Sequence, residues 1–158
     1  MATLRQRPPY EAYAGITGTF LAGLGAAGAL ARALKREPQS RSALDLAVLS
    51  AATFKASRTI SRDDVASFIR EPFVEGEAVG DHADPAGEGL RRAIGELITC
   101  SRCTGTWVAA GLTSTQIVAP RFGRILTWAL AAAAASDWLQ AGFTALTSKA
   151  NTLTESPD

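Results

Sequence analysis

The chain has 158 residues, a length that suits one domain. Its formal net charge is +1, so no global field draws in nucleic acid or an acidic substrate, and neither is expected as a partner. Hydrophobic residues make up 47% and charged residues 20%, but the two classes are segregated along the chain, unlike the face-by-face mixing of a water-soluble helix.

Residues 1–11 are polar, with Pro8-Pro9 as a helix stop signal. The 20 residues from Ala12 to Ala31 carry no charge, and a first membrane helix is expected over about 12–34. At about 1.5 Å per residue it crosses a hydrocarbon core about 30 Å thick. Arg5 and Arg7 precede it, but its length and the lack of a small-x-small cleavage site mark an uncleaved helix. Ala14, Gly18, Ala22 and Ala26 fall four apart, as do Gly15, Thr19, Gly23, Ala27 and Ala31. Such rows let another backbone approach closely, within the chain or from another copy.

A charged connection with Arg32, Lys35, Arg36, Glu37, Pro38 and Arg41 leads to a second span over about 42–60. It is the least apolar, with Asp45 at its start and Lys55 and Arg58 near its end. Long basic side chains snorkel from a helix end to the headgroups. Residues 61–103 form a charged cap. Ser61-Arg62-Asp63-Asp64 carries a helix N-cap signature, Val65, Phe68 and Ile69 recur at helical spacing, and Pro72 ends that turn. Residues 75–89 are acidic and glycine-rich and read as a loop, which holds the sole histidine, His82. A second amphipathic helix then carries Leu90, Ile94, Leu97 and Ile98 toward Thr99. The third span is expected over about 104–119, ended by Pro120, and the fourth over about 125–148, with a frayed tail from Lys149. The expected fold is all-α: a single membrane domain over 1–158, with about four transmembrane helices and an amphipathic-helical cap.

With four spans, ten of the basic residues lie on the side of the termini and cap, against six on the other. The positive-inside rule then places the termini and the cysteine pair in the cytoplasm.

The only two cysteines, Cys100 and Cys103, stand as Cys-x-x-Cys at the threshold of the third span. Three readings stay open. A zinc site needs four ligands, so the pair requires His82, a carboxylate such as Glu96, or the thiols of a second copy. A redox role needs one thiol of lowered pKa, which a helix N-terminus beside Arg102 favours. Two inert packed thiols are the third. Glu96 lies one helical turn before Cys100, placed to orient a thiol, ligate a metal or cap a turn. Asp137 sits near the middle of the fourth span, where a carboxylate must be protonated, paired or wet; Lys55 or Arg58 is the candidate partner. No phosphate loop, dinucleotide fingerprint or nucleophile elbow is present.

Several runs taken together resemble a family: Phe54-Lys55-Ala56-Ser57-Arg58, Asp63 or Asp64, Phe68-Ile69-Arg70-Glu71-Pro72-Phe73, Gly89-Leu90-Arg91, Gly95-Glu96-Leu97, and Cys100-x-x-Cys103-Thr104-Gly105-Thr106-Trp107. The sequence is similar over some two-thirds of its length to the small bacterial membrane family catalogued as domain of unknown function 1360. The resemblance implies a helical protein of the bacterial inner membrane with three core spans and, for some members, a link to sporulation. It carries over no reaction and no cofactor. The first span stands outside it. The motifs place Arg58, Arg70, Glu96, Cys100 and Cys103 at one membrane face, with salt bridges expected from Arg70 or Arg58 to Glu96 or Asp64.

Three functions follow as expectations. The first is a non-enzymatic assembly or interaction module that binds the lipid bilayer and forms a homo-oligomer or joins other membrane proteins. The second is a membrane thiol-redox or zinc-binding protein. The third is a small transporter or channel using Asp137.

Overall fold

A computed structural model of the chain describes residues 8–36, 42–76, 78 and 83–155. The expected all-helical class holds. The first helix, α1, runs over Tyr10–Ala33, directly after the proline pair. The second, α2, covers Ala43–Arg62 and opens on a reciprocal capping box. Asp45 N–H donates to the Ser42 hydroxyl at 3.1 Å, and Ser42 N–H donates to the Asp45 carboxylate at 2.9 Å. The charge that weakened this span in the sequence is therefore a helix cap.

The cap region begins differently from expectation. Ser61 is the penultimate residue of α2 rather than an N-cap, and the helix ends at Asp63. A 3-10 turn over Asp64–Ala66, the short helix α3 over Ser67–Arg70 and a second 3-10 turn over Glu71–Phe73 follow. The region read as loop contains a two-residue antiparallel ladder, β1 (Val74–Glu75) with β2 (Asp84–Pro85), Val74 opposite Pro85. So short a ladder has no periodicity for a sequence reading to find. Helix α4 covers Gly89–Thr99, with Gly89 in the left-handed region at φ 59.

Helices α5 (Ser101–Val118) and α6 (Pro120–Glu155) form a hairpin joined by Ala119 alone. Pro120 does not merely end α5: it is the first residue of α6, where a missing N–H costs nothing. A Cβ on Gly123 would lie 2.6 Å from the Gln116 Cα and N. Glycine is what lets the two backbones close so tight a hairpin. The tail expected to fray is helical through Glu155, so α6 has 36 residues.

Helix α2 packs on both α5 and α6. The core there is Ala52, Leu112 and Ala131, flanked by Val48, Leu49, Val108 and Leu126. Of the four spans expected, one helix, α1, is long and apolar enough among the described residues to cross a membrane by itself. The reason lies in composition. Lys55, Arg58 and Asp45 interrupt α2, Ser, Thr and Gln dilute α5, and the apolar middle of α6 is flanked by arginines and hydroxyl residues.

Candidate functional site

The candidate residues gather in three places around the cap. The first is a hub built on Arg70. Its side chain is completely buried. The guanidinium donates to the Ala78 carbonyl at 2.8 and 3.3 Å, to Ile60 at 2.8 Å and to Asp63 at 3.0 Å. The expected salt bridge from Arg70 to Glu96 or Asp64 is replaced by main-chain carbonyls. One of them, Ile60, belongs to the last turn of α2 and another, Asp63, is its C-cap, where the helix dipole favours a cation. Arg70 thus ties the end of α2 to the segment after β1. Arg58, the alternative expected partner of Glu96, is exposed on α2, and Glu96 binds other residues.

The second place joins α2 to α6. Lys55 Nζ donates to the Asp137 carboxylate at 2.9 Å and lies 3.7 Å from Asp63. The Thr59 hydroxyl donates to Asp63 at 2.8 Å. Of the two partners considered for Asp137, Lys55 is the one used. Asp137 is therefore level with the end of α2 and the cap, not isolated in the middle of a span. Phe54 and Trp138 pack beside the pair with ring centroids 5.9 Å apart.

The third place surrounds the cysteines. Both thiols are free. Cys100 is the N-cap of α5, and its sulfur accepts the Cys103 N–H at 3.3 Å. Burial opposes a thiolate at Cys100. Donation from the Cys103 side chain and from the N–H groups of Cys103 and Arg102 outweighs it and holds this thiol below its ordinary value. Desolvation against the neighbouring walls and the bond to Cys100 push the Cys103 thiol up to about 11. The two sulfurs are thus unlike, and the one at the N-cap carries the thiolate character.

Cys103 lines a cavity of about 450 Å³ between α1, α4 and α5, together with Phe20, Leu97 and Trp107. Phe20 and Trp107 meet edge to face at 5.0 Å. The polar end of the cavity is Glu96, which accepts a short hydrogen bond from the Tyr13 hydroxyl and one from Arg92 at 3.0 Å. The Tyr13 bond, followed by Arg92, holds the Glu96 carboxyl below the usual carboxylate range against the opposing effect of part-burial. Glu96 therefore faces the cavity that Cys103 lines and is not a dedicated partner of Cys100. Sequence reasoning could not reach the bond made by Tyr13. It is 83 residues from Glu96, and nothing local marks it.

One motif glycine, Gly95, has a steric reason. A Cβ on Gly95 would collide with the Phe73 carbonyl oxygen and lie 3.1 Å from Pro85 Cβ, so α4 can seat the β-ladder only with glycine there. Gly105 lies against Ser57 and Thr53 of α2. Next to it the Thr104 hydroxyl donates to the Leu97 carbonyl at 2.8 Å and accepts from Ser61 at 3.3 Å.

Among the described residues no group of three His, Cys, Asp or Glu side chains is placed to hold a metal. His82 lies outside the described residues, so the zinc set that would include it has no geometry to compare.

Comparison with known proteins matches residues 48–143 to the family described as protein of unknown function, DUF1360. The chain is also 34% identical over 113 residues to sporulation protein YjcA of Bacillus subtilis (strain 168), a match covering 61% of this chain and 95% of that protein. No solved structure matches.

Proposed function

Because the chain belongs to the DUF1360 family, proteins of unknown function, we propose a role that needs no reaction. It is an integral protein of the bacterial cytoplasmic membrane that serves as an assembly or interaction module. The observation that carries this is an inverted pattern of burial. Ala52, Ala131, Ala134, Ser57, Ser61, Thr104 and Thr127 are inside. Leu46, Ile125, Trp128, Leu139 and Phe143 are exposed. Water-soluble folding is driven by hiding the second set, not the first. Helices in lipid associate instead through small and hydroxyl residues, because lipid is as apolar as leucine.

In this reading α1 crosses alone, and α2, α5 and α6 cross as a bundle whose polar groups turn toward one another. The membrane part of α5 begins after Cys103. The Arg70 hub, α4 and the cysteines form a cytoplasmic cap, as the excess of basic residues on that side supports. The cap and the exposed apolar flanks are the surfaces for a second copy or another membrane protein. The transport reading has less support, because the Asp137 carboxylate is occupied by Lys55. The name of the Bacillus relative supports a setting in sporulation.

Fractionation tests the proposal. The full chain should stay with membranes through an alkaline carbonate wash and, once extracted in detergent, run as an oligomer in light scattering. Recovery of the intact chain as a detergent-free soluble monomer would overturn it.

A further inference from the structure

We infer that Cys100 and Cys103 form a thiol–disulfide exchange site for a low-molecular-weight disulfide, with Cys100 as the attacking and Cys103 as the resolving sulfur. The inference stands on geometry and is independent of the membrane reading. Cys100 occupies the N-cap of an 18-residue helix and accepts the Cys103 N–H, so a charge on its sulfur is met by main-chain donors. The lowered Cys100 and raised Cys103 thiols agree with that division of roles. The spacing places the second sulfur one helical turn away, within hydrogen-bonding contact of the first. Neither sulfur is sealed off: Cys100 is half-buried and Cys103 exposed.

The recess that Cys103 lines, one helical turn from Cys100, sets the size of the substrate. Its volume of about 450 Å³ is that of a small-molecule site. Helix α1 forms one wall of it through Tyr13 and Phe20, which suits a small disulfide better than one held on a folded protein. Arg92, bonded to Glu96 at 3.0 Å, marks the polar end of the recess.

The chemistry balances without any further reagent. The Cys100 thiolate attacks one sulfur of the disulfide, forming a mixed disulfide and releasing one thiolate, which takes up a proton. The Cys103 thiol then loses its proton to solvent and attacks Cys100 Sγ. The Cys100–Cys103 disulfide forms and the second thiolate leaves. The small disulfide is reduced by two electrons and the pair is oxidised by two.

Glutathione disulfide, added to the reduced full chain in detergent, tests this by mass spectrometry. The natural chain should lose two hydrogens as an internal disulfide. Cys103→Ser should accumulate a stable glutathione adduct on Cys100. Cys100→Ser should form an adduct on Cys103 about tenfold more slowly or worse, because Cys103 lies inside the helix and lacks the main-chain donors that meet a charge at the N-cap. Serine is a good N-cap, so this last variant keeps the start of α5 and its slowness is not unfolding. Equal adduct rates in the two variants would overturn the inference. So would disulfides between copies in place of the internal bond, or zinc retained on four thiols of two copies. A glutathione disulfide tethered to a protein-sized polymer should react about tenfold more slowly than the free form; an equal rate would overturn the assignment to a small substrate.

Discussion

Arg70 shows how one side chain can set the register of a whole cap. Its fork reaches carbonyls on α2, at Asp63 and after β1, which no single ammonium could span. Arg70→Met should therefore cost on the order of 3 kcal/mol, because buried carbonyls lose their donors. Arg70→Lys should recover little of it. Denaturant titration of the detergent-solubilised protein reads both, and full recovery by lysine would show that charge alone matters. Glu96 makes a different prediction. Its folded pKa is depressed by Tyr13 and Arg92. The stability it contributes is therefore complete above the unfolded value near 4.5 and disappears as pH falls through the folded value. Melting temperatures of the natural chain should drop across that acid window. Glu96→Gln should flatten that limb while lowering stability at neutral pH. An unchanged acid limb in the variant would assign the loss to other carboxylates. The roles of Arg70 and Tyr13 were not legible in sequence for one reason: a motif marks a residue but not its partner, and the partners here are main-chain atoms or lie 83 residues away.

At the scale of elements, glycine position separates packing from propensity. Gly123 and Gly95 have no room for a Cβ, while Gly111, also helical, has nothing within 4 Å. Gly123→Ala should force the α5–α6 hairpin apart and cost about 1–3 kcal/mol or more. Gly95→Ala should do the same to the seat of the β-ladder on α4. Gly111→Ala should be neutral or stabilise by up to about 1 kcal/mol through helix propensity. Thermal unfolding of the three variants checks this. A similar loss at Gly111 would mean that the open face of α5 is covered by another copy. The helices themselves were largely readable. Apolar segments place the first at 12–34 against Tyr10–Ala33, and the second, despite Asp45, Lys55 and Arg58, at 42–60 against Ala43–Arg62. The ends were less so. Pro120 carries the same signal whether it stops one helix or starts the next, and only the close approach at Gly123 decides between them. The length of α6 was missed because its last turns hold Thr, Ser and Lys in place of an apolar face, a pattern that reads as coil without the preceding helix to extend it.

For the molecule as a whole, α1 lies against α4 and α5 but outside the core. The family match begins at residue 48, after α1 has ended. No residue of α1 belongs to the core cluster shared by α2, α5 and α6. It is attached at the cap end by the Tyr13–Glu96 hydrogen bond and the Phe20–Trp107 contact, and further along it lies beside α5, where Ala27 and the buried Ala31 share a second recess with Ala110, Thr113 and Ile117. Stability and accessibility should therefore separate when α1 is removed. A chain lacking residues 1–36 should keep a cooperative melt, because the core of α2, α5 and α6 is intact. Trp107 emission should shift toward that of a solvent- or detergent-exposed indole. Cys103 should alkylate several-fold faster, because one wall of its recess has gone. Tyr13→Phe should give neither change in full, since it cuts the bond to Glu96 but leaves Phe20 against Trp107 as a wall of the recess. If removal of α1 instead abolished the cooperative melt, the helix would be part of the bundle. The small-residue rows on it would then be a packing face that the bundle requires. If it changed the melt little and Cys103 not at all, the recess would owe nothing to α1. The first 36 residues, which the family match does not cover, therefore decide how open the cysteine site is in this chain.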